Sequence, residues 1–177
     1  MFTVTKDKIL PTTVVGSYPR PHWYTENLRG RPFKSALADS VFREQYHDAV
    51  ACILNDQNRA GLDILTDGDA RFDQDVGGRS WFFYPIERLQ GVAGHRDTSP
   101  GWSQRLDLKP GQILWEVQEA SQPPIAVEKL EGGPLHYAAI WQTAQRLTER
   151  PVKFGSVSAQ TIPSMLWNEA YQSEADM

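Results

Sequence analysis

GLDILTDGDARFDQDV, residues Gly61 to Val76, is the stretch on which the reading of this chain turns. It opens with a short apolar run, Leu62 to Leu65, and breaks at once into Asp67-Gly68-Asp69. A buried parallel strand whose C-terminal tip carries a site ends in this way. A second run of the same kind lies upstream, Leu10-Pro11-Thr12-Thr13-Val14-Val15, and ends in Gly16-Ser17. Between the two, residues 34–60 carry a helical stripe. Val41, Phe42, Tyr46, Ala49, Val50, Ile53 and Leu54 recur at three- and four-residue steps, and Gly61 stands where a helix stops. Strand, long helix, strand predicts a βαβ unit with parallel strands. Two polar strand tips on one side predict an α/β fold, a (β/α)8 TIM-barrel-like arrangement with its chemistry at one face.

Further along, the pattern is thinner. Residues 18–33 hold three prolines and no period, and read as a loop. Ser80 to Leu89 is apolar but interrupted by Pro85; residues 90–112 read as an excursion of loops with a hairpin. Ile113 to Val117 and Ile125 to Leu130 are strand candidates. Residues 135–149 predict a second helix, with Tyr137, Ile140, Trp141, Ala144 and Leu147 on one face and Pro151 after its end. Val152 to Val157 predicts another strand, tipped by Ser158-Ala159-Gln160-Thr161, and Pro163 predicts a last helix through Tyr171. About four strands alternate with helices. A complete barrel takes about 250 residues, so residues 1–177 read as a single domain, a partial barrel completed by a partner or by oligomerisation.

Composition narrows the partners. A net charge of −4 argues against a nucleic-acid surface, and no run reaches the roughly 18 apolar residues of a membrane span. The N-terminus lacks a signal-peptide core, and a single cysteine fits a reducing compartment, so the expected location is cytoplasmic. Cys52 is expected to be a buried thiol on the apolar side of the long helix. His22, His47, His95 and His136 show no metal spacing with each other or with Cys52. Asp67, Asp69, Asp73 and Asp75 crowd a short stretch around Arg71, but lack the glycine offset and closing Glu of a calcium loop. Asp67 and Asp69 divide between ligand binding and capping of the turn that follows. Asp73 and Asp75 read as loop acids paired with Arg71 or Arg79. Gly16-Ser17 reads as an anion cradle, with Arg20 and His22 following in the same loop. The six Trp, six Tyr and seven Phe divide between core packing and a ligand or subunit wall.

ILPTTVVGSYPRP and GLDILTDGDARFDQDV together resemble the catalytic barrel of cobalamin-independent methionine synthase, within the superfamily that includes uroporphyrinogen decarboxylase. Val152-Lys153 through Thr161-Ile162 is similar to the family's fourth-strand segment, with Ser158-Ala159 where Gly-Pro is usual. The resemblance covers the N-terminal half of a family barrel. It implies methyl transfer from a folate-type donor to a homocysteine-like thiol. Val15, Gly16 and Ser17 would match the segment that holds the amino-acid part of homocysteine, and Asp69 the acid that binds its ammonium, with Asp67 in second place and Ser158 at the third strand tip. A Glu is usual at the Asp69 position. Zinc activates the thiol in the family, but its ligands lie in later strands, so a missing C-terminal half or a complementary subunit would have to supply it. Two alternatives stay open: a zinc-thiolate alkyl transferase or lyase acting on a coenzyme M-like thiol, and a non-catalytic half-barrel that works by homo-oligomerisation.

Overall fold

The computed structural model describes residues 3–19, 21–24, 38–70, 83–98, 122–135 and 137–177. Helix α1, Ser40–Arg59, is the longest element. It starts where Asp39, in extended backbone, accepts hydrogen bonds at Oδ1 from the Val41 and Phe42 N–H groups at 2.9 and 3.2 Å, a cap contributing about 1 kcal/mol. It buries Phe42, Tyr46, Ala49, Val50, Ile53, Leu54 and Gln57, so the periodicity of the sequence is the face that packs. It stops at Ala60, and Gly61 follows at φ 79° as the break predicted there. Cys52 lies off this stripe and is exposed, which corrects the expectation of a buried thiol: one residue from Ile53 is a turn of 100° away from the core.

The second helical pattern is shorter than predicted. Helix α3, Tyr137–Gln145, buries Ile140 and Ala144 against the same core as α1. Between them lie a single helical turn, α2, Phe83–Ile86, and the strand β1, Gln90–His95. Phe83 and Tyr84 are both buried but serve different clusters, Tyr84 with α1 and α3, Phe83 with Ile86, Ala126 and Leu166. Trp81, Phe82 and the candidate strand 113–117 lie outside the described residues, as do Arg20, Arg71, Asp73, Asp75, Arg79 and His136.

The sheet departs from the all-parallel expectation. β2, Pro124–Glu131, pairs antiparallel with β1 and parallel with β3, Trp167–Asn168. The predicted last helix after Pro163 is instead a 3-10 turn, Pro163–Met165, that delivers β3 to the β2 edge. Residues 22–24 are helical within the predicted loop. The two motif strands are reduced to their contacts. Leu65 and Val152 form one parallel bridge, with Leu65 N–H donating to Pro151 O and Lys153 N–H to Leu65 O, both at 2.9 Å. The 10–16 run lies alongside, with the Asp63 and Ile64 N–H groups donating to Thr12 O, but forms no strand; Leu10 and Val15 are 85% and 80% exposed. That corrects the buried-strand reading. A β-branched run needs pairing and a covering layer on its faces to be buried, and here the pairing stops at the Thr12 contacts, with Val14 only half-buried. The order is mixed α/β with parallel contact between the motif segments, and the described strands do not close into a barrel.

Asp63 fastens the N-terminal run to the second motif. Its carboxylate accepts from Thr12 N–H and Oγ1–H, each at 2.9 Å, and pairs with Lys8 Nζ at 2.5 Å. The Lys8 hydrogen bond, with the Thr12 donors, holds its carboxyl well below the usual carboxylate range. A depressed folded value means that the contribution is complete above the unfolded carboxylate pKa of about 4 and is lost as pH falls below it. Asp63→Asn is therefore expected to destabilise the chain at pH 7, with the gap to the parent narrowing below about pH 4. Unfolding midpoints across this range check it; a gap independent of pH would sink the assignment.

Candidate functional site

The Asp67-Gly68-Asp69 tip is a built turn. Thr66 leaves the core 8% exposed; Asp67 and Asp69 are 1% and 7% exposed. Gly68 and Asp69 both adopt positive φ, 64° and 54°. Two successive left-handed residues, the second of them an aspartate, are held only when the surroundings over-determine them. Here Asp67 Oδ1 accepts from Asp69 N–H at 3.1 Å, Thr66 Oγ1 accepts from Gly68 N–H at 3.2 Å, and Gly68 O accepts from Tyr18 N–H at 2.9 Å. Tyr24, fully buried, donates its hydroxyl to Ala70 O just after the turn.

The backbone entering the tip is held by α1. Gln57, fully buried, donates from Nε2 to Thr66 O at 2.8 Å and accepts at Oε1 from Thr66 N–H at 2.9 Å. Its side-chain amide completes a strand-like pair that the neighbouring segment does not make. Gln145 at the end of α3 does the same for the companion segment, accepting from Val152 N–H at 3.0 Å and donating to Arg150 O at 3.0 Å. Each motif strand is thus registered against its own helix by a glutamine.

These contacts leave a cavity of about 100 Å³ lined by Val14, Val15, Gly16, Thr66, Asp69 and the run Lys153 to Ser156. It is smaller than the roughly 300–1,000 Å³ of drug-sized clefts and suits one end of a small ligand. Its far wall is braced by aromatics: Tyr137 of α3 stacks on Tyr84 at 5.2 Å, meets Phe154 at 5.4 Å, and lies 3.2 Å by its hydroxyl from Ser156 Oγ. Of the residues proposed from the sequence, Val15, Gly16 and Asp69 line this cavity. Asp67 sits directly behind, committed through Oδ1 to the turn. Ser17 Oγ is buried next to Gly16 without a hydrogen-bond partner among the described residues. Ser158 is not among the lining residues; it is exposed, and its carbonyl accepts from Thr161 N–H and Oγ1–H. Ser156, placed from the sequence at the third strand tip with Ser158, Gln160 and Thr161, does line the cavity; sequence reasoning missed Lys153 and Phe154 as wall residues, for which the available signal was a lysine set within the apolar run Val152 to Val157.

Comparison with known proteins bears on the same segments. Residues 10–81 match the family model described as the cobalamin-independent synthase catalytic domain. A methionine synthase of Sulfurisphaera tokodaii is 32% identical over 169 residues, which cover 96% of this chain and 44% of that protein. The chain belongs to the cobalamin-independent methionine synthase family. Methionine synthase of Saccharolobus islandicus is 38% identical over 101 residues, 54% of this chain and 30% of the relative. A solved B12-independent methionine synthase from Shewanella sp. W3-18-1, in complex with selenomethionine, superposes with a TM-score of 0.62 at 22% identity, over 94% of this chain and 43% of that one. The chain thus shares the fold of part of that protein and spans less than half the length of the curated relatives it matches.

The family implies zinc. Among the described residues no three His, Cys, Asp or Glu side chains could hold a metal ion together, and exposed Cys52 has no such company. The described residues therefore do not fit the metal. Among them no helix is long and apolar enough to cross a membrane.

Proposed function

We propose that this chain is the substrate-orienting part of a methionine synthase-type methyltransferase, and that the cavity at Gly16 and Asp69 takes the amino-acid end of a homocysteine-like thiol. The observation that carries the reading is Asp69: a nearly buried residue, held in left-handed backbone, lining a small cavity together with Val14, Val15 and Gly16. A carboxylate in that position meets an ammonium by charge-assisted hydrogen bonding, and Gly16, at φ 94°, lets the chain approach closely. The folate-type methyl donor and the zinc that activates the thiol belong to the fuller protein in this reading, supplied by a C-terminal half or a complementary subunit.

Asp69→Asn tests it. A hydrogen bond to a charged group is worth about 1.5–3 kcal/mol, so L-homocysteine measured by isothermal titration is expected to bind the variant about 10- to 100-fold more weakly. An unchanged Kd would refute the assignment. A coenzyme M-like thiol carries no ammonium for Asp69 to pair with. Tighter binding of mercaptoethanesulfonate than of homocysteine would therefore favour the alkyl-transferase alternative, whereas self-association without binding of either thiol would favour the non-catalytic half-barrel.

A further inference from the structure

We infer that the cleft between the C-terminal ends of α1 and α3 is a second binding site, for an organic dianion held by Arg146 and Arg150. The cleft holds about 490 Å³, within the roughly 300–1,000 Å³ of small-molecule sites and too large for a lone ion. Asn55 and Asn58 of α1 line one side, and the loop that follows α3, Arg146 to Arg150, lines the other. It shares no lining residue with the Asp69 cavity. Arg150 precedes the Val152 segment and bonds Leu62 at the start of the other motif segment, so the cleft lies where the two segments begin.

The loop is fixed by its own hydrogen bonds. Gln145 Nε2 donates to the Thr148 and Arg150 carbonyls at 3.2 and 3.0 Å, and Arg150 N–H donates to Thr148 Oγ1 at 3.1 Å. Arg150 Nη1 donates to Leu62 O, which holds the guanidinium in place with most of its N–H donors unused among the described residues. An arginine just past a helix ordinarily serves the orphan carbonyls of that helix end. Here those carbonyls have other partners. Asp56, Gln57 and Asn58 O accept from the N–H groups of Ala60, Leu62 and Gly61, and Gln142 and Ala144 O accept from those of Arg146 and Leu147. The Arg146 guanidinium itself makes no hydrogen bond or ion pair among the described residues. Glu149 is the one acid in the lining; it is exposed and pairs with neither arginine. Two guanidiniums against one carboxylate leave the wall cationic, and the guanidinium fork meets phosphate or carboxylate oxygens with paired donors. Asn55 and Asn58, three residues apart on one helix face, offer amide donors and acceptors to hydroxyls of the same molecule.

The test is isothermal titration of the full chain with ribose 5-phosphate, with citrate and with neutral ribose. The parent is expected to bind one of the two anions with a Kd of about 1 mM or tighter, and ribose more weakly than ribose 5-phosphate. Arg146→Met, which severs no contact among the described residues, should weaken the bound anion about tenfold or more. Glu149→Gln should tighten it by removing the opposing carboxylate. Arg59→Met is the control: Arg59 is exposed in the last turn of α1 but does not line the cleft, so the variant should bind as the parent does. Asp69→Asn should also leave this binding unchanged, which keeps the result separate from that of the substrate cavity. Failure of the parent to bind either anion overturns the site. Equal losses in Arg59→Met and Arg146→Met overturn it as well, because they would report surface charge and no cleft.

Discussion

Gly68→Ala is expected to destabilise the chain by about 3 kcal/mol. Two costs add. The backbone is at φ 64°, where a Cβ costs about 1–2 kcal/mol. The added Cβ would also stand 2.7 Å from Ile53 Cγ2 and 2.9 Å from Tyr18 Cβ, so α1 and the N-terminal segment must both give way; overpacking of this kind costs about 1–3 kcal/mol. Gly61 separates the two terms. It shares the left-handed conformation at φ 79°, but a Cβ there meets nothing within 4 Å. Gly61→Ala should therefore cost only the backbone term, about 1 kcal/mol. Denaturant unfolding of both variants measures the difference. Equal losses would mean that Ile53 and Tyr18 do not press on the turn. Because Gly68 O is also the acceptor for Tyr18 N–H, the alanine variant should loosen the wall of the cavity as well as the fold.

Gln57→Leu is expected to cost about 2–4 kcal/mol although leucine is apolar, similar in size and a better fit to the stripe it would join. The reason is what it leaves behind. Thr66 N–H and C=O both depend on the Gln57 amide, and Thr66 is buried. Each orphaned buried backbone group costs about 1–3 kcal/mol, which exceeds the gain from burying a leucine that replaces an already buried side chain. Amide exchange gives a local readout: the Thr66 N–H should lose protection in the variant more than the amides in the middle of α1. A variant as stable as the parent would show that water or a rearranged segment satisfies Thr66.

The two substitutions separate what each level of description can reach. The stripe from Phe42 to Leu54 needs only the 3.6-residue period, because a helix makes its own hydrogen bonds and the sequence decides which face is apolar. For the same reason α1 and the break at Gly61 were legible, and so was the Gly16 and Asp67 to Asp69 pair of motifs that carried the family resemblance. Gln57 was visible as a polar residue four places after Ile53 on that stripe, but nothing in the sequence says which backbone group it reaches. Strands differ from helices in that their partners are distant in sequence. The run from Leu10 to Val15 has strand chemistry yet stays exposed, and the segment after Pro163 has a helix-start signal yet becomes a turn leading into β3. Lys153 marks the same boundary at the site. Its presence in an apolar run was plain in the sequence, but its placement in one cavity with Asp69 depends on the parallel bridge between Leu65 and Val152. The sequence alone therefore determined the helical faces, the polar tips and the family. Tertiary structure decided the pairing of strands, the exposure of Cys52 and the meeting of Asp69 with Lys153. Local periodicity is written within a few residues, whereas pairing between distant segments is set by the free energy of the whole packed chain.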